Sequence, residues 1–163
     1  MDYAVLLVQG SGNDQSRLTL AFARAAPVRL RIAEDADEAR AYLSGEGIHA
    51  NRDANPLPQL ILLDLELQGG SGLVVLRWIR SEPLLKHIPV IALTASAESS
   101  DVDRAYALGA NSFILTSVRD EALSDIAKGI GDYAALLAQR PGRRSPAAST
   151  PQPGYAAGRA QRP

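Results

Sequence analysis

The chain alternates short, wholly apolar runs with longer stretches in which apolar residues recur at helical spacing. Leu60–Leu63 is the clearest run, too short for a helix and preceded by Asn55, Pro56 and Pro58. Such a run suits a strand buried on both faces, as in a parallel sheet. Ala4–Val8 and Pro89–Leu93 read the same way, with Ser112–Leu115 as a shorter candidate. Val28–Ile32 differs, because it alternates apolar with basic residues. One of its faces therefore meets water, which places it at a sheet edge.

Helical periodicity fills the intervals. Asp14 is placed to cap a helix through Leu18, Leu20, Ala21 and Ala25, halted before Pro27. Ala36–Leu43 forms a shorter helix, stopped by Gly45 and Gly47 and followed by the polar loop Ile48–Pro58. Ser71 caps a helix carrying Leu73, Val74, Leu76, Trp78 and Ile79, which ends before Pro83. Ser99 or Ser100 opens the next, through Val102, Ala105, Tyr106 and Leu108, with Gly109 as its stop. A final helix over residues 119–139 is apolar at 123, 126, 127, 130, 134 and 137. Gly129 and Gly131 weaken it by about 1 kcal/mol each relative to alanine.

Five strands alternating with five helices predict an α/β fold with a doubly wound parallel sheet. Right-handed crossovers and a wet second strand give the strand order 2-1-3-4-5, the flavodoxin-like (βα)5 arrangement. In such sheets ligands sit beyond the carboxyl ends of the strands. That rule gathers Gln9, Gly10, Asp64, Thr94 and Thr116 around one crevice. Asp64 at the end of the third strand is either a site residue or a solvated strand end, and position alone does not separate the two. Three glycines follow it within eight residues, a flexible turn before the helix.

Composition narrows the chemistry. The chain has 163 residues, enough for one domain with a real core, and no cysteine, which removes disulfides, thiolate metal sites and cysteine nucleophiles. Ala4–Val8 is too short for a signal segment or a membrane span, so a cytoplasmic location is expected. The net charge of -1 conceals an asymmetry. Arg140, Arg143, Arg144, Arg159 and Arg162 stand in a final segment, 140–163, that has no acid, so residues 1–139 are acidic overall. Nucleic-acid binding by the folded part is therefore not expected. The same segment is rich in proline and glycine and is expected to be a disordered basic tail following a domain over 1–139. Histidines His49 and His87 fall before strands three and four, away from Asp64, and are expected to be solvated.

The spacing of Leu62-Leu63-Asp64-Leu65, the Gly72 turn, Ile88–Thr94 and Gly109–Phe113 resembles the receiver domain of two-component response regulators, over about residues 3–139. The resemblance implies that Asp64 is the phosphoacceptor position, that Thr94 and Phe113 are the switch residues, and that a sensor histidine kinase is a partner. The long last helix, ending Asp132–Leu137, is similar to the small stand-alone receivers that serve phytochrome-type kinases. The family places two acids after strand one to hold Mg²⁺, where this chain has Gln9 and Gly10. It places a lysine at the end of strand five, where this chain has Thr116. Catalysis of phosphoryl transfer is mostly positioning and electrostatic stabilisation, so these departures remove its charge complement. Losing acids and lysine together leaves Asp64 tolerable beside neutral donors without a metal; Glu66 is the one acid placed to join Asp64 if a metal binds.

The expected function is therefore that of a non-enzymatic, atypical receiver in phosphorelay signalling, without a cofactor, working by protein contact. Its expected interaction surface is helix four, strand five and helix five, with Tyr106, Phe113, Tyr133 and Leu137, which can also form a homodimer. One alternative is a conventional regulator phosphorylated on Asp64 with Mg²⁺. Another, of a different class, is a flavodoxin-like nucleotide or flavin binder using the Gln9–Asn13 loop. Asp14 and the lack of loop aromatics oppose it. No DNA or membrane partner is expected.

Overall fold

The computed structural model describes residues 3–25, 27–68, 70–97 and 100–139. The segment 140–163 and Ser99 lie outside the described residues, so the tail and one of the two candidate caps for the fourth helix lie outside them too.

The main sheet contains β1 (Tyr3–Val8), β2 (Val28–Ala33), β3 (Leu60–Asp64), β4 (Val90–Thr94) and β5 (Ser112–Leu115). They are all parallel, in the order β2-β1-β3-β4-β5. The helices are α1 (Asn13–Ala25), α2 (Ala36–Ser44), α3 (Gly72–Ser81), α4 (Ser100–Ala107) and α5 (Asp120–Ala138).

Alternation of side chains across the sheet explains why its central runs are apolar throughout. Leu6 and Val8 of β1, with Ile61 and Leu63 of β3, pack in the core that holds Tyr42 and Leu43 of α2, Val75, Leu76 and Ile79 of α3 and Ala105 of α4. Val5 and Leu7, with Leu60 and Leu62, face the opposite core, against Leu18 and Phe22 of α1 and Leu123, Ala127 and Ile130 of α5. Every residue of Ala4–Val8 and Leu60–Leu63 is therefore buried on one side or the other. β2 lies at the edge, as its alternation requires, and its side chains are partly exposed except at Ala33.

Some local features differ from the sequence expectation. α1 begins at Asn13, which puts Asp14 inside the first turn, where its charge still complements the helix dipole, rather than at the cap. Ser71 does cap α3, accepting from the Leu73 N–H at 3.1 Å. The glycine-rich turn after Asp64 contains a small antiparallel ribbon, Glu66–Leu67 with Gly70–Ser71, held down by the buried Leu67. Residues Gly47–His49 of the polar loop form one turn of 3₁₀ helix. His49 is not simply solvated: its ring lies edge-on to Tyr42, 5.2 Å between centroids.

Candidate functional site

The register of the sheet builds the site. Val8 is paired with Leu63, so the next residues on each strand, Gln9 and Asp64, stand side by side. The Gln9 N–H extends the ladder to Ala33 O at 3.0 Å, and the Gln15 side chain donates to Gln9 O at 2.8 Å. Both contacts fix Gln9 while its side chain turns to Asp64. Its Nε2 donates to Asp64 Oδ2 at 3.1 Å, and Asp64 Oδ1 accepts from the Glu66 N–H at 2.8 Å. Both carboxylate oxygens therefore have protein donors.

Gln9 is only 3% exposed, yet its Oε1 is a buried acceptor without a hydrogen-bond partner. Burial pushes the Asp64 carboxyl above its usual range; the Glu66 N–H and the Gln9 amide oppose the shift, and the charges of Glu66 and Asp14 add to it. Two donors do not offset the desolvation.

Gln9, Gly10, Asp14, Asp64, Glu66 and Gln68 line an open crevice of about 370 Å³, together with the Ser11–Asn13 loop and Gln15. Thr94 and Thr116 are not part of its lining. The Thr94 hydroxyl donates to Ser96 O at 3.1 Å and accepts from the Ser96 N–H at 3.3 Å. Thr116 is 4% exposed and turns its hydroxyl to Thr94 O at 3.4 Å. The expected gathering thus holds for Gln9, Gly10 and Asp64, with Glu66 added, while Thr94 turns onto Ser96 and Thr116 onto the Thr94 carbonyl. Three acids at this rim repel phosphate, which weighs against nucleotide binding by the Gly10–Gly12 loop.

Mg²⁺ needs several oxygen ligands in octahedral array. Here Gln9 presents a nitrogen donor to Asp64, Gly10 has no side chain, and Glu66 is exposed. Among the described residues no group of three His, Cys, Asp or Glu is arranged to hold a metal. At the two positions where the resemblance implies acids, the chain thus offers one orphan amide oxygen, Gln9 Oε1, and no charge.

Arg17 is the residue that sequence reasoning missed. Its guanidinium donates to Thr116 O and to Asp120 Oδ1, both at 2.8 Å, also to Val118 O, and contacts Asp14 Oδ1 at 3.3 Å. The Asp120 hydrogen bond, ahead of the opposing desolvation, holds its pKa above the usual value. The clamp ties α1 to the β5–α5 loop, and only the Asp14 spacing was visible in sequence.

At the β5 side, Phe113 is half-buried and meets Tyr106 edge-on, 6.3 Å between centroids. Tyr106, Tyr133 and Leu136 are exposed, whereas Leu137 is half-buried. On the expected surface the exposed leucine is therefore Leu136. Among the described residues no helix is long and apolar enough to cross a membrane.

Known proteins with this arrangement identify its family. A model described as the response regulator receiver domain matches residues 5–128. The chain is 36% identical over 131 residues to the response regulator Rcp1 of Synechocystis sp., covering 79% of this chain and 86% of that protein. The solved structure of the phosphorylated cyanobacterial phytochrome response regulator RcpA superposes with a TM-score of 0.73 at 35% identity, covering 83% of this chain and 95% of RcpA. The Mn²⁺-bound form of Rcp1 gives 0.69 at 31% identity, covering 85% and 97%. Sheet order, the acid at the end of β3 and these matches agree: the chain belongs to the response regulator receiver domain family.

Proposed function

We propose that this chain is an atypical receiver of phosphorelay signalling that works by protein–protein contact, without Mg²⁺-dependent phosphorylation of Asp64. The supporting observation is the Gln9–Asp64 hydrogen bond, which puts a neutral amide where the family places acids for a cation. RcpA is known phosphorylated and Rcp1 with Mn²⁺ bound. This chain departs from the family pattern at Gln9, Gly10 and Thr116, the positions that handle charge.

A phosphoryl group brings about -1.5 to -2 of charge at neutral pH. Beside Asp14 and Glu66, with no lysine or arginine in the crevice lining, that charge finds only neutral donors. Such hydrogen bonds contribute about 1 kcal/mol each, net, while a buried uncompensated charge costs several. By this reasoning the sensor histidine kinase related to phytochrome-type systems is a binding partner rather than a phosphoryl donor. Contact through α4, β5 and α5 carries the output, and the same surface can pair two copies. The domain boundary at 139 belongs to this proposal as well.

The test is incubation with acetyl phosphate and millimolar Mg²⁺, followed by intact-mass measurement. An unchanged mass is expected. A gain of one phosphoryl group that vanishes in Asp64→Asn returns the conventional reading, with Glu66 as the added ligand.

A further inference from the structure

A second hollow lies between α3 and the last turn of α4, and it shares no lining residue with the crevice at Asp64. It holds about 370 Å³ and is lined by Leu73, Val74 and Arg77 on one side and by Arg104, Ala107 and Leu108 on the other. Leu73 and Leu108 are half-buried against the core and form its inner, apolar part. Val74, 55% exposed, and the exposed Ala107 carry that apolar surface out toward solvent.

The rest of the lining is cationic, with one guanidinium from each helix. Arg77 is exposed and has no carboxylate partner among the described residues. Arg104 meets Asp101 only at 3.8 Å, and its side chain is 69% exposed. No acid lines the hollow, although residues 1–139 hold 18 acidic and 12 basic residues.

Aliphatic groups and N–H forks are thus the only chemistry this surface offers. Its complement is a molecule with an apolar body and an anionic end, and arginine forks match carboxylate geometry. A carboxylate, with one charge, loses less hydration beside leucines than a phosphate with about two. Size narrows the occupant further. The volume is at the lower end of small-molecule sites, roughly 300–1,000 Å³. From Leu73 to Arg77 the wall is about 6 Å long, one helical turn, which is short for a docked helix. We propose that this hollow binds a small apolar carboxylate, its body against Leu73, Val74, Ala107 and Leu108 and its charge held by Arg77 and Arg104. The same α4 carries Tyr106 against Phe113, so the occupant touches a helix that the proposed output surface also uses.

The test is a titration of the ¹⁵N-labelled full chain with hydrocinnamate, read by amide shifts. Saturable shifts over residues 73–77 and 104–108 are expected with a Kd of about 1 mM or below, while Gln9, Ser11 and Glu66 of the acidic crevice stay unmoved. The matching alcohol keeps the body without the charge, and acetate keeps the charge without the body. Each is expected to bind at least about tenfold more weakly. Arg77→Gln and Arg104→Gln change exposed side chains, so the fold should hold, and each should weaken hydrocinnamate about tenfold. Absence of saturable shifts overturns the proposal, as does equal binding of the alcohol or of acetate. Wild-type affinity in either glutamine variant, with its amide spectrum otherwise intact, overturns it too.

Discussion

The Gln9 carboxamide and the Asp64 carboxylate, 3.1 Å apart, join the ends of two adjacent strands. The carboxyl nevertheless sits above its ordinary value of 3.8, because burial outweighs the two bonds it accepts. Between the unfolded and folded pKa values the native chain holds a proton that the unfolded chain has lost. The associated stability is full below the unfolded value and is lost as pH rises through the folded one. Asp64→Asn removes that loss. We expect its Tm to exceed that of wild type at pH 7. At pH 3 the two proteins should melt together; a variant less stable at pH 7 would contradict this account.

Restoring the family's charges should restore its chemistry. A Cβ at Gly10 meets only Glu34 O, at 3.8 Å, so a side chain fits there. Gln9→Glu/Gly10→Asp/Thr116→Lys is expected to bind Mg²⁺ by calorimetry and to gain one phosphoryl group from acetyl phosphate. Failure of the triple variant to bind Mg²⁺, with its circular dichroism intact, would mean that more than these three positions block the site.

Gly72 is required by close approach. A Cβ there would stand 2.1 Å from Asp64 O and 2.9 Å from Leu65 Cα, both backbone atoms that cannot swing aside. Gly72→Ala should cost about 3 kcal/mol in urea denaturation. A loss below about 1 kcal/mol would show that the β3–α3 junction yields easily.

Arg17→Ala releases the carbonyls of Thr116 and Val118 together with Asp120. Amide exchange is expected to accelerate about tenfold in the β5–α5 loop and the first turn of α5, with β1 and β3 unchanged. Uniform acceleration across the sheet would instead make Arg17 a determinant of global stability.

On the α4–β5–α5 face, Leu136 is 64% exposed beside the exposed Tyr133. If two copies meet there, Leu136→Asp weakens self-association by at least about tenfold, roughly 1.4 kcal/mol, in concentration-dependent light scattering. A wild-type chain that stays monomeric at every concentration removes the homodimer from the proposal.

The sheet was readable because its signals are local. Leu60–Leu63 and Ala4–Val8 are apolar on both faces, and Val28–Ile32 is not, which alone separates centre from edge. Asp64 and Gln9 could be paired from strand order. What escaped depends on atoms far apart in sequence: Arg17 bonds to carbonyls about a hundred positions away. The threonines also escaped, since strand-end position does not say that Thr94 turns onto Ser96 or that Thr116 is buried. Leu136 and Leu137 differ by one step of a helix, and the packing of α5 decides which is exposed.

The register Val5–Leu60 through Val8–Leu63 also bears on when the crevice comes into being. Two helices and the edge strand must be threaded between these partners before they meet, a closure over 55 residues. Long-range parallel pairing is slow because the loop entropy is lost before the contacts reward it. A partly folded chain with β3, β4 and β5 assembled but β1 unpaired would carry Asp64 with no Gln9 beside it. Recognition of the Gln9–Asp64 pair by any partner is thus also a check that folding has finished.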